Sequence, residues 1–160
     1  MPLSLSFKPA DLKVEIPPLR RSRAQVRLTG VKTPIDTSYQ VRVFLHPANV
    51  PARPADPKFA AKYLAARFTM WKMGHEDGGG HGENGGSSHP SAQSIYLDVT
   101  SAYEALRRDS GPDTILAISF DFTEIRSGKD LKKVRYGEAG IHIQGASLVV
   151  NPKAPVYHGN

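Results

Sequence analysis

A chain of 160 residues, 39% hydrophobic and 22% charged, has the size of one domain and enough apolar side chain for a packed core, which excludes wholesale disorder. It has no cysteine, which excludes disulfides, thiolate zinc sites, iron–sulfur ligation and a cysteine nucleophile. The formal charge of +6 is uneven, because residues 1–80 carry 13 Lys/Arg against 6 Asp/Glu and residues 81–160 carry 8 against 9.

No apolar run approaches the roughly 20 residues that cross a bilayer, so no membrane partner is expected. The start, MPLSLSFKPADLKVEI, lacks a basic region followed by an apolar one and is not expected to be a signal peptide. The densest basic cluster, Arg20-Arg21-Ser22-Arg23 with Arg27, follows Pro17-Pro18. It has neither interleaved aromatics nor a recognition helix, so no nucleic-acid partner is expected. A strand edge blunted by charge and proline is expected there instead.

In chain order, Leu12–Ile16, Ala24–Leu28, Tyr39–Leu45 and Ile95–Val99 alternate apolar and polar residues with the period of a half-buried strand. Thr114–Phe122 is more continuously apolar and is expected to be covered on both faces, and Gly140–Val150 reads as the last strand, bent or bulged at Gly145. Lys58–Arg67 has helix-forming composition, followed by a strand over Phe68–Met73. Ser101–Arg108 reads as a short helix with Thr100 as N-cap, Arg107 and Arg108 at its carboxyl end, and Gly111-Pro112 as its stop.

Thirteen prolines and fourteen glycines punctuate these runs. The fold class expected is all-β, an antiparallel β-sandwich with one or two short helices and a long Gly/His-rich loop. Residues 1–38 are expected to form a basic, proline-containing lead with one or two strands that belong to the sandwich, residues 39–152 the main sandwich and residues 153–160 a tail. The loop spans 74–94, where GHEDGGGHGENGGSSHP (74–90) holds almost nothing apolar and three of the six histidines.

Three kinds of site compete. Met70, Met73, His75, His81 and His89 combine thioether and imidazole donors that suit copper. Their spacing matches no compact ligand motif, and each ligand in a glycine loop bears its own ordering entropy. Within a strand over Phe68–Met73, Met70 and Met73 would face opposite ways. For catalysis, His46, His142 and His158 are isolated, and no Ser-His-Asp set, HExxH or phosphate-cradling glycine loop occurs. No catalytic residue is assigned. A docking edge is the third kind: Met70, Trp71, Lys72 and Met73 set the only tryptophan among adaptable side chains next to the loop. The plainer reading makes Trp71 a core anchor.

From Tyr39 onward the order of segments resembles the carboxyl-terminal β-sandwich domain of tyrosinase-like type-3 copper proteins, including polyphenol oxidases. Tyr39-Gln-Val-Arg-Val-Phe-Leu45, leading to His46-Pro-Ala-Asn-Val-Pro51, is similar to the family's first strand and turn. Ala66-Arg-Phe-Thr-Met-Trp-Lys-Met-Gly-His75 resembles its "G-x-F-x-x-(F/V)-(G/P)-H" segment, and Ile95–Leu106 its strand plus helix, "(L/Y)-x-(L/F)-D-(V/I)-T-x-x-(L/I)-x-x-L". Asp113–Phe122 and Gly140–Val150 stand where its last strands stand. Gly74 replaces a proline of plant members, Asp121-Phe122 replaces Val-Pro, and the His/Gly loop is longer than usual.

The resemblance implies a companion to a separate histidine-bearing dicopper domain, which is the expected partner, with copper held there. It also implies that a side chain of this domain can shield the substrate entrance, a role that falls on Trp71 and its neighbours Met70, Lys72 and Met73. The leading expectation is therefore an accessory domain, without catalysis of its own, that covers, stabilises or keeps latent the dicopper site. The alternatives are a free-standing copper-binding or copper-delivery protein using the Met/His segment, and a structural or carbohydrate-type sandwich module.

Overall fold

The computed structural model describes residues 3–7, 13–14, 23–32, 37–71, 93–125, 131–134, 136 and 140–150. The elements in chain order are β1 (Leu3–Phe7), β2 (Lys13–Val14), β3 (Ala24–Val31), β4 (Ser38–Pro47), α1 (Pro57–Tyr63), β5 (Leu64–Met70), β6 (Gln93–Asp98), α2 (Thr100–Ser110), β7 (Leu116–Ile125), β8 (Leu131–Val134) and β9 (Gly145–Val150). They make two sheets. One has the order β1-β7-β4-β5, with β8 also on β7, and the other has the order β2-β9-β3-β6. All pairings are antiparallel except the short β2–β9 contact. The chain is thus an all-β antiparallel sandwich with two helices.

The two-residue period assembles the core. Val41, Val43 and Leu45 of β4 and Leu116, Ile118, Phe120 and Phe122 of β7 point to one side, where Val26, Leu28, Leu97 and Leu148 of the other sheet meet them in one buried cluster. Leu106 of α2 joins that cluster, and α2 packs against β3, β4 and β5. The opposite face of β4 is covered too: Phe44 lies 5.6 Å from Phe59 of α1, and Phe59 lies 5.0 Å from Tyr63. Both faces of β7 are buried over Leu116–Phe120, as its continuous apolar run leads one to expect.

Several local expectations are corrected. The helix expected over 58–67 ends at Tyr63, because Leu64 turns extended (ψ 117°) and pairs with Phe44. The helix-forming Leu64-Ala65-Ala66-Arg67 stretch is taken by cross-strand pairing with β4, a tertiary gain larger than its propensity. Asp56 starts α1, its carboxylate accepting the Lys58 N–H at 2.9 Å, with Pro57 in the first turn. Thr100 lies inside α2 and is not its cap. The Asp98 carboxylate takes the Thr100 N–H at 2.9 Å, while Thr100 Oγ1 accepts the Ala24 N–H at 3.1 Å and ties α2 to β3.

The last strand begins only at Gly145, and His142 makes an isolated bridge to Lys32. A Cβ on Gly145 would stand 2.8 Å from Thr29 Oγ1, so close approach to β3 explains that glycine. β3 is no edge strand, because β9 and β6 flank it on both sides. Arg27 accordingly lies on the outer face, its guanidinium 5.7 Å from the Tyr96 ring centroid, and guards no edge. Arg20, Arg21 and Ser22 lie outside the described residues. β1 and β8, which the alternation had not revealed, pair with successive stretches of β7. Among the described residues no helix is long and apolar enough to cross a membrane.

Phe120 is fully buried between the sheets, so Phe120→Ala is expected to lower unfolding free energy by about 3–5 kcal/mol. Ile115→Ala, at a 42% exposed position, is expected to stay within about 0.5 kcal/mol. Urea denaturation of both variants checks the assignment of inner and outer faces.

Candidate functional site

Of the docking residues expected from sequence, Met70 and Trp71 are described, at the end of β5. Its inward row ends at Met70, which is buried in the core cluster and pairs with the buried Tyr39 across β4. The thioether of Met70 therefore contributes packing, and this placement does not suit an exposed docking contact or an open metal ligand. Trp71 follows at once and is 70% exposed, the most exposed large apolar side chain of the described residues. By the two-residue period it continues the outward row of Arg67 and Thr69. The plainer reading of Trp71 as a core anchor is thus corrected. Lys72, Met73, His75, His81 and His89, together with the Gly/His loop, lie outside the described residues, as does His158. His142 is exposed on its bridge to Lys32.

Exposure of an indole at the end of a paired strand is chemically informative. A tryptophan in water forgoes a large favourable burial, and its ring can supply extensive contact area at small entropic cost when a partner covers it. Its base is rigid, because Thr69 and Met70 are still in register with Gln40 and Tyr39.

The structure also unites residues that are far apart in sequence. His46, isolated along the chain, projects under α1 and is buried, with Nε2 2.7 Å from Ser119 Oγ and Nδ1 2.9 Å from the Pro47 carbonyl oxygen. The carbonyl can only accept, so Nδ1 carries the proton and Nε2 accepts from the Ser119 hydroxyl. Ser119 Oγ lies a further 2.9 Å from Ser4 Oγ of β1. The separation of Ser119 and His46 is that of a nucleophile and its base. Both side chains are sealed, however, and a main-chain carbonyl holds the ring nitrogen that a carboxylate orients in hydrolases. The rings of Phe59 and Tyr63, with centroids 5.3 and 6.0 Å away, complete the cover. The group is structural: it satisfies a buried imidazole and ties β1, β7, β4 and α1 together. Sequence reading had no route to it, since 73 residues separate His46 from Ser119.

Among the described residues no group of three or more His, Asp or Glu side chains is arranged to hold a metal ion. A cluster of opposed charges on the outer face of the first sheet joins Arg42, Asp121 and Lys133. Comparison of the chain with family models, with curated proteins and with solved structures finds no match at any of the three levels.

Burial lowers the His46 pKa below 6.5, outweighing the hydrogen bonds at Pro47 and Val50 that act to raise it. Near neutrality the unfolded chain therefore binds more protons than the folded one. Stability is complete above about pH 6.5 and falls as the pH drops below it. Thermal unfolding between pH 7.5 and 5 is expected to show this decline. His46→Gln should flatten it over that window, while lowering stability throughout through imperfect packing under α1. An unchanged slope in the variant would locate the titration elsewhere.

Proposed function

We propose that this chain is an accessory β-sandwich domain of a tyrosinase-like copper oxidase, which covers, stabilises or keeps latent a dicopper site carried by a separate histidine-bearing helical domain. The observation that carries the proposal is Trp71: 70% exposed, at the end of a strand held in register, and within the segment where the resemblance places a shielding side chain. The sandwich class of the fold supports the reading. Among the described residues the buried Ser–His pair is sealed, and Trp71 is the large apolar side chain left most open to a partner. In this reading copper belongs to the partner domain. The chain acts by fitting the indole against the mouth of the site and limiting access of phenolic substrates.

The test is addition of the chain to a tyrosinase-type dicopper domain from the same genome, freed of any other cover. Phenol turnover is expected to fall in a saturable way. Trp71→Ala, at an exposed position that leaves the fold intact, is expected to weaken this inhibition roughly 30-fold, the loss of a central aromatic contact of about 2 kcal/mol. Turnover indifferent to both proteins rejects the reading. Copper titration of the chain alone adds a second decision. Stoichiometric binding tighter than micromolar, lost when His75, His81 and His89 become alanine, would replace shielding with copper delivery.

A further inference from the structure

The outer face of the first sheet holds a second feature that the docking reading does not use. Beyond the part covered by α1, the outward rows of four strands meet. Arg42 of β4 stands directly opposite Arg67 of β5 on one side and Asp121 of β7 on the other, and Thr123 stands opposite both Gln40 and Lys133. Gln40, Arg42, Arg67, Thr123 and Lys133 floor a groove of about 580 Å³, walled by the Pro54–Pro57 turn and by Ala60 of α1. That volume lies within the range of small-molecule sites.

The charges in it do not balance. Arg42 directs Nε and Nη2 to Asp121 Oδ2 at 2.9 and 2.7 Å, and Nη2 also donates to the Pro54 carbonyl at 3.1 Å. Lys133 Nζ binds the same carboxylate oxygen. One aspartate is thus shared by two cations, while Arg67 is exposed and makes no ion pair among the described residues. Among the described residues, the lining of the groove has three cations and no carboxylate, with Asp121 shared beside it by two of the three. Like charges directly opposite on neighbouring strands are unfavourable, and here the Arg42–Arg67 pair occupies that relation. The outward position of residue 67 is open to solvent, and a neutral polar side chain would serve the strand as well.

The geometry points to a binding site for a small organic anion, a carboxylate or phosphate monoester on a compact apolar body. Arg42, fixed by Asp121 and the Pro54 carbonyl and stacked 5.3 Å from the Phe44 ring, is the rigid part of the site. Arg67 and Lys133 are the arms that close on the anionic group, and a planar guanidinium suits the two-oxygen edge of a carboxylate or phosphate. The prolines and Ala60 offer no hydrogen bond to a bare ion and suit an apolar body. This inference does not depend on the role of Trp71, which is not among the residues lining the groove.

Calorimetric titration of the full chain with phenyl phosphate and with benzoate tests it, with inorganic phosphate and sodium chloride at matched ionic strength as comparisons. Saturable binding of the organic anions is expected, weakened about tenfold in Arg67→Gln by loss of a charged hydrogen-bond donor. The unliganded Arg67→Gln variant is expected to melt at the wild-type temperature or above it, because the like-charge pair is gone. A variant that keeps its stability and loses the ligand supports the site. Four results would overturn it: no saturable binding of either organic anion, equal binding by wild type, Arg67→Gln and Lys133→Gln, the same heats from sodium chloride, or inorganic phosphate binding as tightly as phenyl phosphate.

Discussion

The pairing of β4 with β7 underlies everything else in this domain, since ten residues of each strand match without interruption from Ser38 opposite Ile125 to Pro47 opposite Leu116. Register in a sheet is set by which side chains must be inside, and a slip of one residue would exchange the two faces. Here such a slip would put Arg42 and Asp121 into the core and bring Val41, Val43 and Phe120 out. β1, β8 and β5 all attach to these two strands. The second sheet rests on the apolar row that they present.

The same register decides the fate of the polar groups on the outer face. At one end Phe44, His46, Ala117 and Ser119 lie under the rings of α1, where an unpaired imidazole would be costly. His46 meets that demand by staying neutral and using both ring nitrogens. At the other end the cover stops, and Arg42, Arg67 and Lys133 remain charged around one carboxylate with access to water. Among the described residues, no buried side-chain polar atom is left without a partner. The interior is therefore internally satisfied, and the unbalanced features are all at the surface: the indole of Trp71 and the excess cations of the groove.

Those two features would suit different kinds of ligand. A rigidly based, exposed tryptophan suits a protein surface that can enclose an indole, whereas clustered cations on strand positions suit a small anion. Met70 shows how narrowly the first was resolved. One residue before Trp71, it points inward and becomes part of the core, so of the four residues expected to dock only Trp71, within the described residues, is exposed.

Much of the fold was legible because alternation with a period of two is a local property. Ala24–Leu28, Tyr39–Leu45 and Ile95–Val99 announce strands and their inner faces without any partner in view. β1 was missed although Leu3-Ser-Leu-Ser-Phe7 alternates as the other strands do, and its place beside β7 depends on pairing with a strand over a hundred residues away. The end of α1 was missed for a related reason, as Leu64–Arg67 has helical composition and is extended only because β4 offers an edge. By itself, then, the sequence determined the class of fold, the alternating faces of the main strands and the excess of basic residues in the first half. Only the tertiary structure decided that His46 is sealed against Ser119, that Trp71 stands in water while Met70 does not, and that Arg42, Arg67 and Lys133 share one groove. Each of these depends on strand register, which is set by contacts between residues distant in the chain and leaves no local signal.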